Sequence, residues 1–197
     1  MTEVAAGNLH TCARMADTTV RCWGASNFGQ VGDGYPETHY RPSAVAGLTR
    51  AAALALGPYR SCARLDDGAV RCWGRNDTGQ LGDGTRLSRT TPVALVGLAG
   101  ALDLALGAFH GCARVVGHGV RCWGSNAMGQ LGDGTTVDRP SPVAAGVRDA
   151  VSVTAGEVHT CARTGDGAVR CWGGSGFGQV GDGTTVNHGV PVLVPGR

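Results

Sequence analysis

The sequence predicts an all-β repeat array of four units, and three observations carry that reading: a period near fifty residues, an excess of glycine, and no helical periodicity. Cys-Trp-Gly occurs at 22–24, 72–74, 122–124 and 171–173, with offsets of 50, 50 and 49. Gly-Gln-(Val/Leu)-Gly-Asp-Gly at 29–34, 79–84, 129–134 and 178–183 keeps the same offsets, as does Cys-Ala-Arg at 12–14, 62–64, 112–114 and 161–163. Three motifs locked in one phase four times define units of approximately 1–50, 51–100, 101–149 and 150–197. Glycine supplies 34 of 197 residues, without a collagen period, which fits many tight turns between short strands.

Each unit reads as four strands. In the second, residues 52–56 form a small apolar strand, and 59–65 a second. Asp66-Asp67-Gly68 is a turn, and 69–73 a third strand. A long connection from Gly74 to Thr91 leads to a weak fourth strand at 92–96, with Pro92 at its start, where a missing N–H is tolerated. Four strands per repeat of this length is the pattern of a propeller blade. A three-residue hairpin loop at 66–68 sets Leu65 opposite Ala69, and Cys62 then faces Cys72. The same count sets Cys161 opposite Cys171. Gly68 and Gly167 fall where a left-handed residue is wanted. Thr18 and His118 occupy that place in units one and three, so those turns should be strained or built differently.

At these residues the chain resembles the regulator-of-chromosome-condensation repeat family. That pattern runs Gly-x-x-His, strand, Asp-Gly turn, strand ending in Trp-Gly, then Asn-x-x-Gly-Gln-Leu-Gly. Here it reads Gly107-Ala-Phe-His110, Trp123-Gly124, Asn126 and Gly129-Gln130-Leu131-Gly132. Arg60 replaces the histidine in unit two, and Gly176 is read in place of the asparagine in unit four. The resemblance implies a propeller, usually of about seven blades, and a family of exchange factors for small GTPases, chromatin-binding proteins and bacterial inhibitors of other proteins.

The eight cysteines form four pairs: Cys12 with Cys22, Cys62 with Cys72, Cys112 with Cys122, and Cys161 with Cys171. Blades about 10 Å apart keep the pairs from converging on one tetrahedral ion. The cross-strand register suits disulfides, with buried thiols as the alternative. Disulfides imply an oxidising, extracytoplasmic compartment, secreted or in a cell envelope, although Met1 to Asn8 does not read as a secretory signal. All 17 basic residues are arginine, which reads as GC-rich coding rather than a design for phosphate binding; the resemblance, in its cysteine-paired form, implies a bacterial source. Trp23, Trp73, Trp123 and Trp172 point to the face opposite the cysteines and are expected in the core. His10, His110 and His159 are expected to bond backbone. Asp33, Asp83, Asp133 and Asp182 are expected as turn formers rather than Ca²⁺ ligands. No metal or cofactor is expected.

No nucleophile, base and orienter form a set that can be placed together, so the chain reads as a non-enzyme. A net charge of +2 gives no footprint for nucleic acid, and no apolar run approaches the roughly 18 residues of a membrane span. Strand alternation puts the first and third connections of every unit on one rim. The first carries Asn8-Leu9, Pro58-Tyr59-Arg60, Ala108-Phe109 and Glu157-Val158, the candidate contacts for a protein partner. The third varies most over 35–41, 85–91, 135–141 and 184–190. Against this, Leu9, Tyr59, Phe109 and Val158 could pack between blades instead. The even spacing leaves no room for a wedge-like insertion, which argues against nucleotide exchange, the runner-up. Four units suggest an open arc, with Val4 near one bare face and 169–172 near the other; more blades in a longer chain, self-association of two arcs through those faces, or closure of the four units alone would cover them, and closure alone is the least expected.

Overall fold

The computed structural model describes residues 1–117 and 119–196. It forms four four-stranded antiparallel sheets, each a simple meander. Blade 1 comprises β1 (Glu3–Ala6), β2 (His10–Arg14), β3 (Val20–Gly24) and β4 (His39–Ala44). Blade 2 has β5 (Ala51–Gly57), β6 (Arg60–Leu65), β7 (Val70–Gly74) and β8 (Arg89–Ala94). Blade 3 has β9 (Ala101–Leu106), β10 (His110–Val115), β11 (Val120–Gly124) and β12 (Arg139–Ala144). Blade 4 has β13 (Ala150–Ala155), β14 (His159–Thr164), β15 (Val169–Gly173) and β16 (His188–Leu193). The first strands of successive blades neighbour one another around the axis, and the fourth strands lie outermost.

The hairpin register is as counted. Cys62 faces Cys72 and Cys161 faces Cys171, and all four predicted disulfides are present with Cα atoms 4.1 Å apart. Directly opposed cysteines sit nearer than the roughly 5.5 Å of an average disulfide, because the pairing strands hold them there. Gly68 and Gly167 adopt φ of 79° and 86°, and Thr18 takes the same left-handed turn at φ 66°. This is strained for a β-branched residue. Thr18 offsets the strain by tying in the next blade: its carbonyl accepts from Ala51 N and its hydroxyl from Arg50 N. His118 lies outside the described residues.

The fourth strands begin three residues earlier than expected. β8 starts at Arg89, and Pro92 lies inside it. An outermost strand tolerates the missing N–H, and the register already shifts between Cys72 and Gly74.

Each blade has two faces. The cysteine face of one packs on the tryptophan face of the next, as where Cys12, Val20, Cys22 and Val31 meet Ala63, Leu65 and Trp73. Trp73, Trp123 and Trp172 are wholly buried. The arc is open: Trp23 on blade 1 is only half-buried, and Val4 is 60% exposed. On blade 4, Val169 is 37% exposed while its equivalents Val20, Val70 and Val120 are buried. Trp172 does not share that bare face. Successive residues of a strand alternate sides, and its indole donates to the carbonyl of Gln130 in blade 3.

Candidate binding rim

Two glycine positions shape the rim. Gly74, Gly124 and Gly173 end the third strands with φ of 108°, 99° and 103°. A Cβ there would lie 2.5–2.6 Å from the carbonyls of Tyr59, Phe109 and Val158. Close approach lets those same carbonyls accept from Arg75 N, Ser125 N and Gly174 N. The first connection is thereby fastened to the start of the third in every blade, and the two share one rim as expected. The first glycine of Gly-x-x-His is needed for a different reason: a Cβ on Gly7, Gly107 or Gly156 would overlap the histidine ring three residues on.

The third connection is held from within. Asn76 Oδ1 accepts from Leu81 N, and its Nδ2 donates to Asp83, Thr85 and Leu87. Asn126 repeats this in blade 3. Asp83 accepts from Thr85 and from Arg89 at the head of β8. Burial alone would raise its pKa, but these hydrogen bonds hold the carboxyl below the usual range. Asp133 pairs likewise with Thr135 and Arg139, whereas Asp33 and Asp182 pair with His39 and His188. All four aspartates thus act as turn formers.

On this frame sits a cluster that joins three blades. The Phe28 and Tyr59 rings meet edge-on, with centroids 5.7 Å apart at 67°. The Arg75 guanidinium lies 5.1, 5.7 and 5.2 Å from the rings of Phe28, Tyr59 and Phe109. Asp77 fixes its orientation through two oxygens. Tyr59 and Phe109 were expected on the rim. Phe28 and Arg75 were not, since their approach depends on how neighbouring blades are offset. Alignment of Phe28, Thr78, Met128 and Phe177 was the available signal: that place precedes Gly-Gln in each unit and is aromatic in two.

The remaining expected contacts divide. Asn8, Leu9 and Glu157 are exposed, and Pro58 and Val158 half-buried. Asn8, Pro58, Ala108 and Glu157 help line a depression of about 500 Å³ where the first strands of all four blades end. Ala108 is itself buried. Arg60 is not a surface residue: it is 1% exposed. It lies in the joint between blades 2 and 3, donating to the carbonyls of Ala108 (2.7 Å), Gly107 (3.1 Å) and His110 (2.5 Å). Burial lowers its pKa to about 9.

His10 and His110 bond hydroxyls of the next blade rather than backbone. His10 Nε2 meets Ser61 Oγ at 2.8 Å, and that hydroxyl donates to the carbonyl of Gln30. His110, Thr160 and Gln130 repeat the relay. Since each hydroxyl proton is committed to a glutamine carbonyl, the histidine must donate through Nε2–H. Burial depresses the pKa of His10 to about 4, and burial with the Arg60 charge takes His110 to about 3.

The two repeat models described as "Regulator of chromosome condensation (RCC1) repeat" match residues 1–30, 51–80 and 150–179, and residues 67–114 and 119–163. The chain belongs to the regulator of chromosome condensation repeat family. Within that repeat pattern, Ser175, not Gly176, occupies the asparagine position of unit four. Its hydroxyl accepts from Val180 N as Asn126 accepts from Leu131 N, and Ser26 does so in unit one. No curated protein sequence matches the chain. Among solved structures, human WBSCR16 is similar with a TM-score of 0.85 at 22% identity, over 98% of this chain and 52% of that one. Yeast RCC1 (Prp20) bound to Kap60 gives 0.79 at 23%, over 96% and 48%. Prp20p from Saccharomyces cerevisiae, described with its binding to Gsp1p and histones, gives 0.78 at 25%, over 98% and 50%. The chain spans about half the length of each.

Proposed function

We propose that this chain is a non-catalytic protein-binding scaffold that uses the rim bearing the first and third connections. The observation that carries this reading is the cluster of Phe28, Tyr59, Arg75 and Phe109, which spans three blades and remains partly open to solvent. Aromatic and arginine side chains on a rigid frame are the residue types that dominate binding energy at protein interfaces. The tips of the third connections differ between blades and present Tyr35, Leu87, Val137 and Val186, each more than half exposed. Fixed strands with changing loops on one rim are how binding surfaces are built. The four disulfides are consistent with an oxidising environment, and we place the scaffold outside the cytoplasm, secreted or in a bacterial envelope.

A second reading, exchange of nucleotide on a small GTPase, draws support from the likeness to Prp20p, described with its binding to Gsp1p. Peptides selected from a display library on the immobilised chain separate the two. Tyr59→Ala and Phe109→Ala should each weaken the selected binding by about 30-fold or more. Unchanged binding by both variants would remove the rim reading. Faster nucleotide release from a small GTPase would install the second.

A further inference from the structure

Position 75 has one duty in the scaffold, and only its backbone performs it. The N–H of the residue after the third strand donates to the carbonyl of the first connection: Ala25 to Leu9, Arg75 to Tyr59, Ser125 to Phe109 and Gly174 to Val158. Four different side chains serve, so the repeat does not require an arginine there. Two residues on, Asn27, Asp77, Ala127 and Gly176 vary as freely. Arginine and aspartate occur together in unit two alone, and there they pair: Nε and Nη2 of Arg75 donate to Asp77 at 3.0 and 2.5 Å.

A guanidinium carries five N–H donors on a planar fork. Asp77 takes the edge formed by Nε and Nη2. Nη1 has no partner among the described residues and is not sealed from solvent. The edge formed by Nη1 and the second N–H of Nη2 is therefore left for another acceptor. Asp77 and the rings of Phe28, Tyr59 and Phe109 hold the group in one orientation, so little side-chain entropy remains to be lost on binding.

The charge at this joint is not balanced. Arg60 lies behind the cluster, bonding the carbonyls of Ala108 and His110 on either side of Phe109. Those partners are neutral, and burial lowers its pKa only to about 9, so it stays charged at neutral pH. Arg60 and Arg75 bring two positive charges and Asp77 one negative, which leaves a surplus of one positive charge. His110 registers the field, since burial first and then the Arg60 charge lower its pKa.

We propose that this site recognises an acidic side chain, aspartate or glutamate, within a segment of a partner protein. The carboxylate sits on the open edge of Arg75, and flanking apolar side chains lie on Phe28, Tyr59 and Phe109. The inference rests on the rim reading above and adds the chemistry of the partner to it. A carboxylate matches the fork of an arginine, and the surplus charge favours an anion. A lysine or arginine of the partner would meet a place among the rings that Arg75 already fills.

Peptides selected from a random library on the immobilised chain, and weakened by Tyr59→Ala, test it once resynthesised with both ends blocked. An aspartate or glutamate is expected at a constant place beside an apolar residue. Exchanging that acid for its amide should raise the dissociation constant about tenfold or more on the parent. On Arg75→Ser the same exchange should change it about twofold or less, because the coupled partner is gone. Serine is the residue that unit three carries at this place, and Arg75→Gln is the second variant. An equal cost on parent and variant, or selected peptides without a constant acid, overturns the inference while the rim reading stands. So does binding that needs a free C-terminus, which would assign the carboxylate to a chain end. Failure to select any peptide would remove the rim reading and this inference with it.

Discussion

The joint between blades 2 and 3 does the same work as its neighbours with different residues. At the joints of blades 1–2 and 3–4, a histidine, a hydroxyl and a glutamine carbonyl form a neutral relay. At the joint of blades 2–3, Gly111 stands where Ser61 and Thr160 stand elsewhere, so the hydroxyl is gone. A Cβ at Gly111 would lie 2.7 Å from the Trp123 ring, which has closed over the place. In place of the relay, Arg60 crosses this joint and reaches three carbonyls of blade 3. The indole-to-glutamine bond is common to all three joints. The repeat therefore fixes the apolar seam and leaves the polar crossing free to be solved jointly by two positions, 60 and 111. The altered joint also lies directly beneath the aromatic cluster, since Arg60 follows Tyr59 and His110 follows Phe109 in the chain.

Reduction should have the largest effect and should spare no joint, because one side of each is a disulfide-bonded hairpin face. Each disulfide closes a loop of about eleven residues, and losing one costs about 3 kcal/mol on the chain-entropy model. Alkylation of the unreduced protein should label no cysteine, and reductant should lower the denaturation midpoint more than any single substitution. Labelling of all eight would contradict the fold's cross-links.

Acid should then separate the joints. His10 and His110 have native pKa values near 4 and 3 against 6.5 when unfolded. The unfolded chain thus binds more protons below pH 6.5. The stability from their neutral burial is intact above that value and is lost as pH falls toward 4 and then 3, by at most about 3 kcal/mol for His10 and about 5 kcal/mol for His110. Arg60 does not titrate in that window. Between pH 6 and 4, the indole N–H groups of Trp73 and Trp172 should lose hydrogen-exchange protection before that of Trp123. Uniform loss across all three would show that the joints are not distinct.

Single substitutions sharpen the same contrast. Arg60→Leu leaves the carbonyls of Gly107 and Ala108 without their guanidinium partner and should cost about 3 kcal/mol. Ser61→Ala breaks only the relay of the first joint and should cost about 1–2 kcal/mol. Equal costs in denaturant titration would contradict the difference drawn here.

Much of this was legible in the sequence because it is local. A hairpin count places Cys62 against Cys72, and glycine at 68 and 167 marks the left-handed turn. The blade-to-blade contacts were less legible because they couple residues about fifty apart, across an offset that one repeat does not encode. The hydroxyl partners of His10 and His110, the burial of Arg60 and the approach of Phe28 to Tyr59 all belong to that class. The fourth strands were misplaced for another reason. Pro92 reads as a boundary unless the strand is known to be outermost.

The central claim is that the rim cluster is a surface laid on the scaffold rather than part of what holds it together. Calorimetric melting of the triple variant Phe28→Ala, Tyr59→Ala, Phe109→Ala tests it most directly. The account predicts a melting temperature within about 4 °C of the parent, the shift expected for roughly 1 kcal/mol in a domain of this size. A fall of ten degrees or more would place these rings in the core and contradict it.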